Sequence, residues 1–315
     1  MTVTQPRKEP TMFKRILVPC SESMRGEVAL RLALALAQKT ALEVIVLSAP
    51  SVRLAPQDVP QGTCAVPGSV AVEGANADAD AGRAHALKLI ARLRAQSARV
   101  RVIPWEDQSM RQISALSRQL GVELILLAPK DRCQLELLWY PRSVAHTLAD
   151  LGVPLLILPE QQQAATLMSS LAAPIVVALD GSESDADALA FAVGWSRLFG
   201  ATLLLVSVLR QQTHTPLGDE VERSLREALA HAQAQLRQAL VDTSTTVGVD
   251  ILFGRPAEAL RRYATEQRAG LTVIGAHHQH GEHRYFTGDV AGSLVRQAPT
   301  TVALLPDGAA PARGV

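Results

Sequence analysis

The sequence predicts two tandem doubly wound α/β domains, each with a five-stranded parallel sheet and flanking helices. Two observations carry this prediction. The apolar run and polar turn of residues 16–30 return at 175–189, so the chain contains an internal duplication. In both copies, short runs of Val, Ile and Leu alternate with helical patterns. Continuous apolar runs are typical of strands buried on both faces, and their alternation with helices favours a parallel sheet between helical layers.

The duplication keeps its register over most of each copy. Aligning Ala29 with Ala188 gives an offset of 159 residues, which also places 44–48 on 203–207. Further along, an offset of 147 places 124–127 on 271–274 and 155–159 on 302–306. The difference of 12 between the two offsets means that the first copy is longer in its middle.

The predicted elements come in pairs, one in each copy. Each copy starts with a strand, and helices follow from about Glu27 to Lys39 and from about Asp185 to Phe199, where Gly200 ends the second helix. The later pairs are strands Glu43–Ser48 and Thr202–Val208, strands Arg99–Ile103 and Thr246–Phe253, helices Met110–Leu120 and Pro256–Gln267, strands Leu124–Leu127 and Leu271–Ile274, and, after a further helix, strands Leu155–Leu158 and Val302–Leu305.

The middle of each copy holds one more helix. Asp219–Val241 predicts a charged amphipathic helix, because its apolar residues recur three or four positions apart. Arg83–Gln96 is its counterpart, and the preceding segment 56–82, rich in Pro, Gly, Ala and Asp, predicts an exposed loop. The polar segment 160–173 predicts the linker, so we expect domains at 11–160 and 171–307.

Composition narrows the function classes. A net charge of +1, from 31 basic and 30 acidic side chains, supplies no field that favours nucleic acid or an anionic membrane. No apolar run approaches the roughly 20 residues that span a bilayer. The first ten residues lack the apolar core of a secretory signal, which predicts a cytoplasmic protein. Cys20, Cys64 and Cys133 have no metal-knuckle spacing, and we expect reduced thiols with Cys20 buried.

Ligand sites in such sheets lie at the carboxyl ends of the strands near the point where strand order reverses. In the second copy, 180–184 follows the first strand and 275–291 follows the fourth. Three features of this copy resemble the universal stress protein family. They are the segment Val-Ala-Leu-Asp-Gly-Ser-Glu-Ser at 177–184, the Gly254-Arg-Pro256 before a helix, and Gly275 with Gly288 thirteen residues on. The resemblance extends over both copies.

This resemblance implies a flavodoxin/HUP-like fold in each domain, with the last strands of the copies paired antiparallel as an intramolecular pseudo-dimer. In the nucleotide-binding members, an Asp after strand one and a backbone group on strand two hold adenine and ribose. A Gly-x2-Gly-x9-Gly-Ser/Thr loop wraps the phosphates. The implied ligand is AMP or ATP in the second domain only, with Mg²⁺ accompanying ATP. Carried over by position, the implied contacts are Asp180, Gly181 and Val208 at the adenosine end and Gly275, His277, His278, Gly288 and Asp289 at the phosphate end.

Two positions of the phosphate loop depart from the family pattern. His278 stands at the second glycine, and Asp289 stands at the hydroxyl residue. An ionised carboxylate repels a phosphate by about 1 kcal/mol at ~4 Å in water. We interpret Asp289 as the N-cap of a helix that starts at Val290, with a metal-bridged phosphate contact as the alternative. Under the N-cap interpretation the site takes AMP, adenosine or no ligand.

The first copy departs further from the pattern and is interpreted as a structural copy. Ser21 stands where Asp180 stands in the second copy, and no glycine occurs from Ala128 to Ser143. Prolines in that segment also remove backbone N–H donors that a phosphate cradle needs.

The sequence argues against two other chemistries at the second site. The histidines of 277–283 favour weak, adventitious metal binding over a specific site, because no cysteine lies nearby. Ser182, His277 and Asp180 lack the Gly-x-Ser-x-Gly elbow of a hydrolase.

The leading hypothesis is a regulatory, non-enzymatic, self-associating module. The alternatives are an interaction protein without a ligand, whose protein partner the sequence does not identify, and a slow metal-dependent ATPase.

Overall fold

A computed structural model gives the fold of the chain. It describes residues 12–20, 26–40, 42–48, 99–104, 110–128, 150–159, 164–182, 184–209, 245–276, 288–297 and 300–306, with residues 88, 90, 91, 95, 148, 223–224, 226–227 and 229–234 between them.

The described strands form one ten-stranded sheet in the order β3-β2-β1-β4-β5-β10-β9-β6-β7-β8. Each copy supplies five neighbouring strands that pair in parallel, so the predicted two five-stranded parallel sheets are confirmed. The strands are β1 Arg15–Cys20, β2 Glu43–Ser48, β3 Arg99–Pro104, β4 Leu124–Leu127, β5 Leu155–Ile157, β6 Ile175–Ala178, β7 Leu203–Leu209, β8 Val247–Phe253, β9 Leu271–Ala276 and β10 Thr301–Pro306.

Six helices are complete within the described residues. They are α1 Gly26–Lys39, α2 Met110–Leu120, α3 Ala164–Ser170, α4 Ser184–Phe199, α5 Pro256–Glu266 and α6 Gly288–Gln297. Gly200 follows α4 with φ +71° and donates its N–H to the Ser196 carbonyl at 2.7 Å, the C-terminal role that the sequence predicted. The predicted loop 56–82 lies outside the described residues, and the described parts of 83–96 and 219–241 are helical. Among the described residues, none of the helices could span a lipid bilayer.

Burial explains why the continuous apolar runs became strands. All four residues of β4 and β6 and all six of β10 are buried. Side chains alternate between the faces of a strand, so such runs are stable only where helices cover both faces. Two hydrophobic cores, one on each face, each draw residues from both copies.

The segment that the sequence assigned to the linker contains a helix. α3 fills half of it, because alanine, leucine and methionine favour helix and Leu167 is buried at 1% exposure. Its last carbonyl, on Ser170, lies 1.9 Å from where a Cβ on Gly270 would stand. The linker is therefore packed onto the second copy, just before β9.

The two copies meet along their last strands. β5 and β10 pair antiparallel, with Ala303 opposite Leu156 and Val302 opposite Ile157. This is the one antiparallel pairing among the described strands. It joins the two parallel sheets and covers an edge that each would otherwise expose.

A row of aromatic side chains joins the copies a second time. Phe13, just before β1, lies against Phe191 of α4 with ring centroids 5.8 Å apart. Trp195 and Phe199 continue the row at 6.0 and 4.9 Å between successive centroids. A residue near the start of the first copy is thus packed on the first helix of the second.

Candidate functional site

The candidate site lies where strand order reverses in the second copy. β6 lies between β9 and β7, and Ala178 is opposite Ile274 on one side and Val206 on the other. Continuing this register by two residues brings Asp180 level with Val208 of β7 and Ala276 of β9. Because parallel strands end at the same edge, the half-buried Asp180 stands at the mouth of the crevice where ligands of such sheets bind.

Two carboxylates hold the turn that carries Asp180. The Asp185 carboxylate accepts the N–H of Asp180 at 3.2 Å and the N–H of Gly181 at 2.8 Å. Asp180 Oδ1 accepts the N–H of Ser182 at 3.1 Å. Gly181 has φ +83°, a backbone conformation in which a Cβ is strained, so the chain reverses there on a glycine. Three successive amides at the end of β6 are therefore bonded to the protein's own carboxylates.

The start of α4 balances this negative charge. Asp185 and Asp187 both lie in its first turn, and Asp185 N–H donates to the Ser182 carbonyl at 3.1 Å. The amino-terminal end of a helix carries partial positive charge, which stabilises acidic residues in its first turn. The turn is thus an acidic site whose charge is partly met by the helix.

Gly275 of β9 is in close contact with the first residue of α4. A Cβ at Gly275 would stand 2.4 Å from Ser184 Oγ and 2.9 Å from Ser184 Cβ. Ser184 is 4% exposed, and its hydroxyl lies 2.8 Å from that of Ser182. Glycine is therefore required here for the packing of α4 on β9, whatever the loop beyond it does.

The β7 side of the crevice is fixed in the same way. Ser207 donates its hydroxyl to the Leu179 carbonyl, and Leu179 N–H donates to the Val206 carbonyl at 2.8 Å. Val208, next along β7, is buried at 4% exposure. The ends of β6 and β7 are thus cross-linked by hydrogen bonds, which fixes Val208 relative to Asp180.

The residues expected at the phosphate end are described only in part. His277 and His278 lie outside the described residues. Gly288 and Asp289 are the first two residues of α6. The expectation that Asp289 caps a helix beginning at Val290 is wrong, because the helix begins two residues earlier and Asp289 lies inside its first turn. An acidic residue is favoured in the first turn of a helix as well as at its N-cap.

The equivalent edge of the first copy is described less fully. Cys20, the last residue of β1, is buried at 2% exposure, as the sequence predicted. Ala128, after β4, is buried as well. Ser21 and residues 129–143 lie outside the described residues, and so do Cys64 and Cys133.

Sequence reasoning missed Asp185 and Ser184. A signal for Asp185 was present, since Ser182 and Asp185 have the spacing of a capping box, in which an acidic side chain reaches back to amides before the helix. No local pattern points to Ser184, because its contact is with Gly275, which lies 91 positions further along the sequence.

The fold and this crevice together define the class of protein. It is a tandem pair of doubly wound α/β domains with a candidate ligand site in the second copy, at the point where strand order reverses. The model of the universal stress protein family matches residues 12–158 and 173–306. The chain belongs to the universal stress protein family, whose members act in the stress response.

The chain is also similar to individual proteins. A curated relative from Staphylococcus aureus (strain USA300) that carries the family name is 28% identical over 134 residues, which is 41% of this chain and 80% of the relative. A crystal structure from Pseudomonas aeruginosa UCBPP-PA14 under the same family name is 19% identical and covers 94% of both chains with a TM-score of 0.61. The universal stress protein from Archaeoglobus fulgidus, solved in complex with dAMP, is 26% identical and covers 42% of this chain and 98% of its own, with a TM-score of 0.34.

Proposed function

We propose that this chain is a non-enzymatic regulatory protein of the stress response whose second copy, at 171–307, binds an adenosine compound. The observation that carries the proposal is the register of β9, β6 and β7. It brings Asp180 level with Val208 at the point where strand order reverses. The family resemblance assigns the adenosine end of a nucleotide to these same two positions.

The chemistry of the crevice suits a nucleoside. A carboxylate such as that of Asp180 accepts hydrogen bonds from ribose hydroxyls or from the amino group of adenine. Gly181 beside it is exposed, so a ligand can approach the backbone there without meeting a side chain. Val208, at the end of β7, contacts the base through its backbone in this proposal, because its side chain is buried at 4% exposure.

The residues that would contact the phosphates of a nucleotide are proposed from their positions in the sequence alone. Gly275 and Gly288 stand at the two ends of the loop that would wrap phosphates, with His277, His278 and Asp289 as further contacts. AMP places one phosphate in this loop. ATP places three there and would bring Mg²⁺ to neutralise them.

Calorimetric titration of the full chain with adenosine, AMP, ADP and ATP tests this proposal. Mass spectrometry of small molecules released on acid denaturation tests it independently. We expect one site per chain, and Asp180→Asn should weaken adenosine binding about 10- to 100-fold. Hydrogen bonds to a charged group contribute about 1.5–3 kcal/mol, and asparagine keeps the oxygen that accepts the Ser182 N–H.

Asp250→Asn is the matched control. Asp250 is an exposed carboxylate on β8 of the same copy, outside the crevice. The Asp250→Asn variant should bind adenosine with the same affinity as the wild-type chain. If no adenosine compound binds the wild-type chain, the proposal fails.

A second candidate function is an interaction module without a ligand. The antiparallel pairing of β5 with β10 and the two shared cores give the duplication a structural purpose that needs no ligand. Failure of every adenosine compound to bind, together with self-association of the chain in sedimentation, would favour this candidate.

A further inference from the structure

We infer that β8 is an association edge, along which two copies of this chain pair their β8 strands antiparallel around a two-fold axis at Ile251. β8 lies at one end of the ten-stranded sheet, and among the described strands only β7 pairs with it. The inference goes beyond the proposed function and does not depend on it, because it concerns a sheet edge outside the crevice.

The hydrogen bonds of β8 show which of its main-chain groups face outward. The Thr246 carbonyl accepts the Leu203 N–H at 2.9 Å, and the Gly254 N–H donates to the Leu209 carbonyl at 2.9 Å. Main-chain groups of successive strand residues point to alternate sides, so the even-numbered residues of β8 face β7. The residues that direct their N–H and C=O groups to the outer edge are therefore Val247, Val249, Ile251 and Phe253.

The amino-terminal end of this outer edge already has a hydrogen-bond donor. Gln233 Nε2 donates to the Val247 carbonyl at 2.7 Å. The outward groups of Val249, Ile251 and Phe253 follow it, and no described strand pairs with them. The side chains of these three residues are apolar and share one face of the sheet, and Phe253 is 49% exposed. Unpaired main-chain groups beside apolar side chains form a template for pairing with another strand.

β3, at the other end of the sheet, is protected against such pairing. Arg99 and Arg101 are exposed on it, and it ends at Pro104, which has no N–H to donate. Edge charges and proline are among the devices by which proteins prevent pairing between sheet edges. β8 contains no proline, and its one charged residue is Asp250. The contrast between the two edges indicates that β8 is the edge that accepts a partner.

The partner is a second copy, because the sequence of β8 is complementary to itself in one register. Antiparallel pairing centred on Ile251 places this residue opposite its own copy and Val249 opposite Phe253, so these outward residues exchange N–H and C=O groups. Asp250 then lies opposite Leu252, which keeps two like charges from facing each other. The chain already joins its two sheets by antiparallel edge pairing of β5 with β10. Pairing of β8 would extend the same sheet into a second chain.

Sedimentation velocity of the full chain from about 1 to 100 μM tests this inference. Wild type should show an equilibrium between monomer and dimer. Ile251→Lys should raise the dimer dissociation constant about tenfold or more, because it places two ammonium groups opposite each other at the axis. Val102→Lys is the matched control, since Val102 is partly buried on β3 and packs against the same hydrophobic core as Ile251. It should leave the dissociation constant within about twofold of wild type.

A disulfide across the axis tests the same register without adding a charge, and it covers the case in which Ile251→Lys does not fold. In a background with Cys20, Cys64 and Cys133 replaced, Ile251→Cys should oxidise to a covalent dimer in non-reducing electrophoresis. Phe253→Cys is the control. Each of its thiols is two positions from the axis, so the two lie about 14 Å apart, or four rises of ~3.4 Å, beyond the span of a disulfide.

A wild-type chain that stays monomeric over this concentration range would overturn the inference. Equal weakening of the dimer by Ile251→Lys and Val102→Lys, or equal oxidation of the two cysteine variants, would overturn it too. Assemblies that grow beyond the dimer would mean that β8 pairs with β3 of the next chain, which replaces the two-fold pairing with an open one. Adenosine binding is measured separately, so none of these results decides the proposed function.

Discussion

Ser184 and Gly275 are in direct contact across the second-copy crevice, so the first turn of α4 rests on the backbone of β9. The family resemblance assigns this glycine to a phosphate loop. The structure gives it a packing role that holds whether or not a ligand is bound.

Replacing Gly275 with alanine should destabilise the chain. The new Cβ would stand 2.4 Å from Ser184 Oγ and 2.9 Å from its Cβ. Overpacking of this kind costs about 1–3 kcal/mol of unfolding free energy, measurable by urea denaturation. Ser184→Gly removes both clashing atoms, so the double variant should be more stable than the sum of the single effects predicts. Simple additivity would contradict the contact.

Phe13→Ala should destabilise both copies together. Phe13 is 4% exposed and lies 5.8 Å from Phe191 across the boundary between the copies. Loss of a buried phenylalanine costs about 3–5 kcal/mol, and the shared cores should make unfolding a single transition. Phe253→Ala is the control, because Phe253 is 49% exposed and its loss should change stability by about 0.5 kcal/mol or less. Two separate transitions by fluorescence and circular dichroism would argue that the copies fold independently.

Tyr263 should make the chain sensitive to strong alkali. Burial raises the pKa of Tyr263, and the hydrogen bond to Asp250 raises it further. A tyrosine whose pKa is raised in the folded state stabilises the fold fully below its unfolded pKa of about 10. That stabilisation is lost as pH rises from there through the folded pKa, because the unfolded chain then releases the proton first.

The measurement is the unfolding free energy of wild type and Tyr263→Phe between about pH 8 and 12. Tyr263→Phe should cost about 1 kcal/mol at neutral pH through the lost hydrogen bond. Its stability should also fall less steeply in alkali than that of wild type. Parallel pH profiles for the two proteins would show that Tyr263 does not titrate as described.

The sequence predicted the fold well because the signal was local and repeated. The apolar runs of β2 and β4 and the pattern of α2 were predicted with the same ends that the structure shows, Glu43–Ser48, Leu124–Leu127 and Met110–Leu120. Strand burial on both faces leaves an unbroken apolar run, and the second copy repeats the pattern independently.

The candidate site was harder to predict, because it depends on contacts between distant segments. Asp180 was found from its place after a strand, but the role of Asp185 follows from its hydrogen bonds around the turn. The requirement for Gly275 follows from packing against Ser184, which no local pattern encodes. The helix in the linker is hard to predict because polar and small residues are typical of a spacer, although Leu167 is a buried anchor.

The pairing of β5 with β10 can be tested in solution by a cross-strand disulfide. Leu156 and Ala303 are opposite each other in an antiparallel ladder and both are fully buried. Opposed residues in such a ladder have Cα atoms about 4.5–5.5 Å apart, within the span of a disulfide. In a background with Cys20, Cys64 and Cys133 replaced, Leu156→Cys with Ala303→Cys should therefore oxidise readily within one chain, shown by a mobility shift in non-reducing electrophoresis.

Leu156→Cys with Leu304→Cys is the matched control, because neighbouring residues of a strand point to opposite faces and its two thiols should not meet. Equal oxidation of the two pairs would mean that this register is not kept in solution, and the two sheets would then be joined by some other surface.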